Sequence, residues 1–178
     1  MDLGLRDRVA IVGGASEGIG RATAKLLAAE GCRVVMAARR EDVLGRGAEY
    51  LRSNIRELTG GEATIITVPC DMSSQADIKR LVARTVAEFG GIDIIVNNAG
   101  GPPLGRFEQH DDEAWRKAID TNLMSVVWMV REALPHLKRS DQARIINITS
   151  TAVKEPIEGL ILSNSVRLMG MQHPGAFT

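Results

Sequence analysis

Short apolar runs rich in β-branched residues alternate along the chain with segments of helical periodicity. Each run is apolar on both faces, which is typical of strands in a parallel sheet that helices cover on both sides. The runs predict five strands, at residues 8–12, 34–37, 64–68, 92–96 and 144–148. Strict alternation of such strands with helices predicts a three-layer α/β fold, a doubly wound parallel sheet with right-handed crossovers.

Helical periodicity predicts a helix after every strand. The predicted helices cover residues 18–30, 41–58, 73–89 and 112–137, and a last one begins near residue 160. In the first helix we expect Ile19, Ala22, Leu26 and Leu27 to share the inward face. These side chains would then cover the sheet.

One domain is predicted for the whole chain, residues 1–178, because no repeat or linker interrupts the pattern. No strand is predicted after Leu168. A sheet that ends there has an uncovered edge or needs a partner.

Composition excludes several classes of function. Among 178 residues, 22 Lys and Arg balance 22 Asp and Glu, so no net charge favours nucleic acid. No apolar run is long enough to span a membrane, and the first residues lack the apolar core of a signal peptide. Cys32 and Cys70 lack the spacing of a metal site or a disulfide framework. We therefore expect a cytoplasmic protein that binds neither nucleic acid, membrane nor metal.

A glycine-rich turn joins the first predicted strand to the first helix, with Gly14, Gly18 and Gly20 at its fixed points. Gly14 suits the tight turn, Gly18 lets the backbone approach a pyrophosphate, and Gly20 lets the helix pack closely. Free N–H groups and the positive end of the helix attract phosphate, and Ser16 adds a hydroxyl. The alternative is a glycine-rich turn without a ligand. The strand–turn–helix context favours a dinucleotide site.

With three further motifs, this turn resembles the short-chain dehydrogenase/reductase family over most of the chain. The family's opening Thr-Gly-x3-Gly-x-Gly is present with Gly13 in place of Thr, and its Asn-Asn-Ala-Gly is intact at residues 97–100. The resemblance is closest to the 3-oxoacyl-carrier-protein reductase branch and implies a Rossmann fold that lacks the family's last strands. The cofactor-binding residues it implies are Gly14, Ser16, Glu17, Gly18, Ile19, Gly20, Asp71, Met72, Asn98, Ala99 and Gly100.

Two of these positions have a second interpretation. Asp71 matches the family's adenine-contacting Asp, yet it also suits a helix cap. Asn98 suits the chemistry of a turn, because Asn tolerates left-handed geometry. Both follow the carboxyl ends of strands, where ligands bind in open α/β sheets.

Residues after the second strand distinguish NAD from NADP. An acidic residue there would bind the ribose hydroxyls, but the chain has Ala38, Arg39 and Arg40. A planar guanidinium pairs well with a 2′-phosphate, so we expect NADP, with NAD as the second choice. Glu17 argues the other way, because NADP-preferring relatives often carry a base at that position. Arg40 has the further interpretation of a solvated surface charge.

The family's catalytic motif is only partly present. The resemblance implies hydride transfer between the nicotinamide and a carbonyl or secondary alcohol carbon, with a Ser, a Tyr and a Lys at the site. Ser150 matches the Ser that holds the substrate oxygen, and Asn122 matches the helix Asn of the proton relay. At the positions of the Tyr and the Lys the chain has Ser163 and Arg167, one helical turn apart.

These replacements change the expected chemistry. Ser163 is a much weaker acid than a phenol, and Arg167 stays protonated, so neither exchanges a proton as the family's pair does. Arg167 suits an alkoxide, a carboxylate or a phosphate instead. Lys154 is a further candidate donor, while the only tyrosine, Tyr50, is predicted to lie far from the site.

We therefore expect an NAD(P)-dependent oxidoreductase that acts on a small carbonyl or alcohol substrate. The alternatives are a nucleotide-binding protein without turnover and a fragment of a family member. The resemblance also implies a homodimer or homotetramer, assembled through residues 112–137 and the helix near residue 160.

Overall fold

The computed structural model describes residues 3–169, which form a parallel sheet between two layers of helices. The strands are β1 (Val9–Gly13), β2 (Arg33–Ala38), β3 (Ile65–Pro69), β4 (Ile94–Asn97) and β5 (Arg144–Asn147). Their order across the sheet is β3-β2-β1-β4-β5, and every neighbouring pair is parallel. The predicted doubly wound α/β fold is confirmed, with the strand order of a Rossmann fold.

The described residues form six α-helices, five of them between strands and the sixth after β5. They are α1 (Gly18–Ala29), α2 (Glu41–Thr59), α3 (Gln75–Phe89), α4 (Asp112–Ile119), α5 (Ser125–Leu137) and α6 (Ile161–Met169). The single helix predicted over 112–137 is interrupted by a π-helical turn at Asp120–Met124. Two short 3₁₀ turns, Phe107–Gln109 and Thr151–Val153, follow β4 and β5.

Two apolar clusters hold the layers together, one on each face of the sheet. Successive strand side chains point to opposite faces, so Ala10 and Val12 join the cluster under α1 and α2, while Ile11 joins the cluster under α3 and α5. A smaller cluster packs Leu162 and Val166 of α6 against α4. The packed layers thus fix the positions of the strand ends and of the loops that follow them.

The predicted inward face of α1 is wrong at Ile19, Ala22 and Leu26, which are exposed, and right at Leu27, which packs against the core. Ile19 is 63% exposed and Leu26 is 67% exposed, whereas the buried positions are Gly20, Ala24 and Ala28. Small residues let α1 approach the glycine turn and the sheet more closely than leucine or isoleucine would allow. Helical periodicity identifies apolar positions, but it does not show that close packing at this helix requires small side chains.

The edge of the sheet at β5 is largely exposed to solvent. Three of its four residues are exposed, including Ile146 at 43%. Within residues 3–169 no strand pairs with its outer side. In the same range, no helix combines the length and apolar character needed to cross a membrane. Residues 170–178 lie outside the described residues.

Candidate functional site

A cavity of about 660 Å³ opens at the carboxyl ends of the central strands. Its walls come from the loops after β1, β2, β3 and β4, at the point where the chain's connections diverge to opposite sides of the sheet. The predicted site residues that line it are Gly14, Ser16, Glu17, Gly18, Ile19, Arg39, Arg40, Asp71, Met72, Asn98, Ala99, Gly100 and Asn122. Gly20 is buried and does not line it.

The glycine turn presents bare backbone to this cavity. Gly18 begins α1 with a φ of +55°, and a Cβ placed there would meet no atom within 4 Å. Glu17 is the N-cap of α1, but its side chain makes no capping hydrogen bond, and the first turn contains no acidic residue. The first N–H groups of α1 and its positive end therefore suit an anion.

Asn98 ties the glycine turn to the end of β4. Its Nδ2 donates to the carbonyl oxygen of Gly13 at 3.1 Å. A Cβ at Gly14 would lie 2.8 Å from the Asn98 carbonyl oxygen, and a Cβ at Gly20 would overlap the carbonyl oxygen of Gly14. Glycine is thus required where the turn, the helix and the Asn98 segment meet.

An ion pair lies at the mouth of the cavity. Arg40 Nη2 is 2.6 Å from Glu17 Oε2, and both side chains are 59% exposed. Arg39 is also exposed and lines the cavity, but it makes no ion pair with any residue that the structure describes. The two adjacent arginines therefore differ: one is already paired and the other is available.

Ser74, not Asp71, is the N-cap of α3, so Asp71 does not have the capping role that the sequence allowed. Asp71 lines the cavity, and it also accepts hydrogen bonds from the N–H and Oγ of Ser73, at 2.9 and 2.8 Å. Burial by itself would raise the pKa of Asp71, but these hydrogen bonds and the nearby Lys117 outweigh it and hold that pKa below its usual value. The carboxylate is therefore fixed and ionised near neutral pH.

The π-helical turn carries Asn122 to the cavity. Its Nδ2 donates to the Ala118 carbonyl oxygen at 3.1 Å. Asn122 also lines a smaller adjoining cavity of about 30 Å³, together with Asn147, Thr149 and Arg167. Single π-helical turns inside α-helices occur frequently at functional sites.

Not all predicted catalytic residues line these two cavities. Ser150 caps a 3₁₀ turn by accepting from the N–H of Ala152 at 3.2 Å, and Ser163 is only 7% exposed, but neither contributes to either lining. Arg167 does line the smaller cavity. Lys154 and Tyr50 are exposed and line neither.

Several lining residues were not predicted from the sequence. Lys117 lies 3.5 Å from Asp71 and also contacts the hydroxyl of Ser73. Ala118 and Thr121 could have been found by helical periodicity, because they precede Asn122 by one turn and by one residue. The position of Lys117 depends on a contact between distant segments, for which the sequence holds no local signal.

Cys70 also lines the larger cavity but is almost completely buried. Burial raises the pKa of its thiol to about 12, so it is a poor nucleophile and metal ligand at neutral pH. Among residues 3–169, no cluster of three or more His, Cys, Asp or Glu side chains is arranged to hold a metal ion.

The strand order and the glycine turn define a protein of the Rossmann class. The family model for short chain dehydrogenases matches residues 8–162, which is most of the chain. The chain therefore belongs to the short-chain dehydrogenase family. Among its relatives, the putative ketoacyl reductase 1 of the granaticin polyketide synthase of Streptomyces violaceoruber is 39% identical over 151 residues, which make up 84% of this chain and 53% of that protein.

Solved structures agree with this assignment. The L-sorbose reductase of Gluconobacter frateurii, in complex with NADPH and L-sorbose, matches with a TM-score of 0.86 and 28% identity, over 95% of this chain and 62% of that one. An NADPH-bound short chain oxidoreductase of Pseudomonas aeruginosa with an atypical catalytic center matches with a TM-score of 0.84 and 28% identity, over 93% and 63%. The chain thus spans between half and two thirds of the length of these relatives.

Proposed function

We propose that this chain binds NADP(H), with NAD(H) as a weaker alternative, and acts as an oxidoreductase on a small carbonyl or secondary alcohol. The observation that carries this proposal is the uncapped start of α1, whose glycine turn forms one wall of the 660 Å³ cavity. Binding of NADPH by two structural neighbours supports the choice of cofactor. The bound dinucleotide would supply the hydride, and the protein its position and surroundings.

Each part of the cavity suits one part of the dinucleotide. The N–H groups of the glycine turn, with Gly14, Ser16, Gly18 and Ile19, suit the pyrophosphate, and Gly20 lets α1 approach it. Asp71 and Met72 suit the adenine, and residues 98–100 suit the adenosine side. Arg39 and Arg40 suit a 2′-phosphate, because guanidinium groups bind it with two parallel hydrogen bonds.

The catalytic assignment uses Ser150, Asn122, Ser163 and Arg167. The Ser150 hydroxyl accepts from Ala152, which leaves its proton for a substrate oxygen. Arg167 offers a fixed positive charge to a developing alkoxide. Asn122 is held by its bond to Ala118 on the wall shared by the two cavities.

Nucleotide binding without turnover is a second candidate function. It is favoured by Ser163, which stands in the place of the family's Tyr, is buried and lines neither cavity. A serine hydroxyl is too weak an acid to replace a phenol in general acid catalysis. Both candidate functions use the same cofactor site, and they differ only in whether a hydride is transferred.

A titration with NADPH, followed by quenching of the two tryptophans, tests the shared claim. Gly18→Ala places a methyl group in the cavity and is expected to raise the Kd for NADPH about tenfold or more. Gly60→Ala is the matched control: Gly60 has a φ of +68°, no atom within 4 Å of an added Cβ, and no part in the cavity. Equal effects of the two variants, or no binding of either nicotinamide, would reject the site.

Oxidation of NADPH in the presence of ketones and quinones separates the two candidates. Turnover that is lost in Ser150→Ala supports the oxidoreductase. NADPH binding with no turnover of any compound supports the non-catalytic candidate. Assembly as a homodimer or homotetramer remains a prediction, which light scattering coupled to size-exclusion chromatography tests.

A further inference from the structure

Arg167 holds a positive charge against the interior of the protein. It follows Val166, which is buried in the contact between α6 and α4. Its Nε exposes less than 1 Å² to solvent. Its Nη2 would lie 3.8 Å from a Cβ at Gly101, a residue of the larger cavity, while Arg167 itself lines the smaller one. The guanidinium therefore lies at the junction of the two cavities.

This guanidinium has no partner in the described part of the chain. Its Nε makes no hydrogen bond, and no carboxylate of residues 3–169 pairs with it. Other partly buried arginines do have partners: Arg8 pairs with Asp93 and Asp141, and Arg33 donates to the Asp7 carbonyl oxygen at 2.7 Å. Burial of an unpaired charge is unfavourable, so Arg167 is poised for an anion.

The surroundings of Arg167 are polar but uncharged. Asn147 and Thr149 line the smaller cavity, and no acidic residue of the described chain contributes to it. Asn147 Oδ1 accepts from Asn97 Nδ2 at 2.8 Å, which leaves the Nδ2 of Asn147 as a donor. A cation with neutral donors and no competing carboxylate defines an anion site.

We propose that Arg167 and its neighbours form a carboxylate subsite, so that the carbonyl or alcohol substrate also carries a carboxylate. This inference rests on the proposed function, since the subsite adjoins the wall that includes Asn122 and Gly101. Among the described residues, Arg167 is the only charged one that lines the smaller cavity, so it balances the single charge of a carboxylate but not the two charges of a phosphate dianion. A carboxylate also accepts two parallel hydrogen bonds from one guanidinium.

The test compares propionate with propionamide, which has the same shape and no charge. Binding to the full chain is followed by ligand-observed NMR and by the thermal midpoint, at constant ionic strength. Propionate is expected to bind and to raise the midpoint, and propionamide is not. Equal binding of the two probes overturns the proposal.

Variants assign the effect to one side chain. Arg167→Gln is expected to weaken propionate binding about tenfold or more, and Arg167→Lys, which keeps the charge but loses the planar fork, to weaken it less. Arg131→Gln, at an exposed position of α5, is the matched control and should bind as the wild type does. Arg167→Gln removes an unpaired charge, so its thermal midpoint without ligand should not fall; if it fails to fold, Arg167→Lys supplies the comparison.

NADPH titrations of the same variants keep the two proposals separate. Arg167→Gln should leave the Kd for NADPH within about twofold of the wild type. A large rise in that Kd, with propionate binding unchanged, overturns the carboxylate subsite and assigns Arg167 to the dinucleotide. If the wild-type chain binds propionate through Arg167 but binds no nicotinamide, the proposed function fails while the anion subsite stands.

Discussion

The carboxylate of Glu17 and the guanidinium of Arg40 lie 2.6 Å apart at the mouth of the larger cavity. The pair joins the glycine turn to the residue that precedes α2. A 2′-phosphate that binds Arg40 would therefore compete with Glu17, whereas Arg39 is not paired within residues 3–169. Glu17 thus opposes the preference for NADP that the two arginines create.

Replacement of Glu17 should strengthen NADPH binding selectively. Glu17→Gln removes the competing charge and is expected to lower the Kd for NADPH about two- to fivefold, the range expected for an exposed ion pair. The Kd for NADH should change little, because NADH carries no 2′-phosphate. Fluorescence titrations with both nucleotides, at one salt concentration, measure the difference.

The control for Glu17 is a similar ion pair outside the cavity. Asp42 and Arg46 lie 3.0 Å apart on α2, and both are about two thirds exposed. Asp42→Asn should leave both dissociation constants unchanged. If Glu17→Gln changes NADPH and NADH equally, the competition does not exist.

The two arginines should contribute unequally to NADPH binding. Arg39→Gln removes the available cation and is expected to raise the Kd for NADPH about tenfold. Arg40→Gln should raise it less, because Arg40 is already paired with Glu17 and must give up part of that contact to bind the phosphate. Titration calorimetry on both variants measures the order, and a larger effect of Arg40→Gln would contradict it.

Leu26 on α1 and Leu51 on α2 should differ in how much their truncation destabilises the fold, because only Leu51 is buried. Leu26 is 67% exposed, so Leu26→Ala should change the free energy of unfolding by less than about 0.5 kcal/mol. Leu51 on α2 is 1% exposed, so Leu51→Ala should cost about 2–5 kcal/mol. Urea unfolding measures both. A similar loss in both variants would show that Leu26 is covered in the protein.

The fold was predictable because its strands are apolar on both faces and each is followed by a helical pattern. Most of the face of α1 was not, because close packing favours Gly20, Ala24 and Ala28 over larger residues, and hydrophobicity alone ranks them the other way. The π-helical turn at Asp120–Met124 also escaped prediction. The apolar pattern of residues 112–137 is compatible with one continuous α-helix, so it does not reveal this turn.

The cofactor side of the site was predictable to a greater extent than the catalytic side. Glycine spacing and strand ends placed Gly14, Gly18 and Asn98 on one cavity, because backbone geometry dictates those residue types. The Glu17–Arg40 and Asp71–Lys117 contacts depend on how separate loops meet. The burial of Ser163 depends on the packing of α6, which local sequence does not encode.

Both cysteines should resist thiol reagents in the native protein. Cys32 and Cys70 are each 1% exposed, and burial raises the pKa of their thiols to about 11 and about 12. Little thiolate is present at pH 8, and access is blocked. Ellman's reagent should therefore label neither cysteine in buffer and both in urea. Rapid labelling of Cys70 in buffer, located by peptide mass spectrometry, would show that the cavity admits the reagent.

Acid should destabilise the network that holds the loop after β3. Asp77 accepts from the N–H of Asp71 at 2.9 Å, and this bond lowers the pKa of Asp77 by more than burial raises it. Burial raises the pKa of Asp71, but hydrogen bonds from Ser73 and the nearby Lys117 outweigh it and lower that pKa. A carboxyl whose folded pKa lies below the ordinary 3.8 stabilises the fold above that pH, and the contribution is lost as the pH falls through the folded value. The free energy of unfolding in urea should therefore decrease below about pH 4.

Replacement of Asp77 should reduce this dependence on pH. Asp77→Asn keeps an oxygen that accepts from the Asp71 N–H but removes the titrating group, so the loss of stability between about pH 4 and pH 2 should be shallower than in the wild type. Asp112→Asn is the control, because Asp112 is 91% exposed at the start of α4 and takes no part in the network. An Asp77→Asn profile parallel to that of the wild type would mean that the network adds no stability that depends on ionisation.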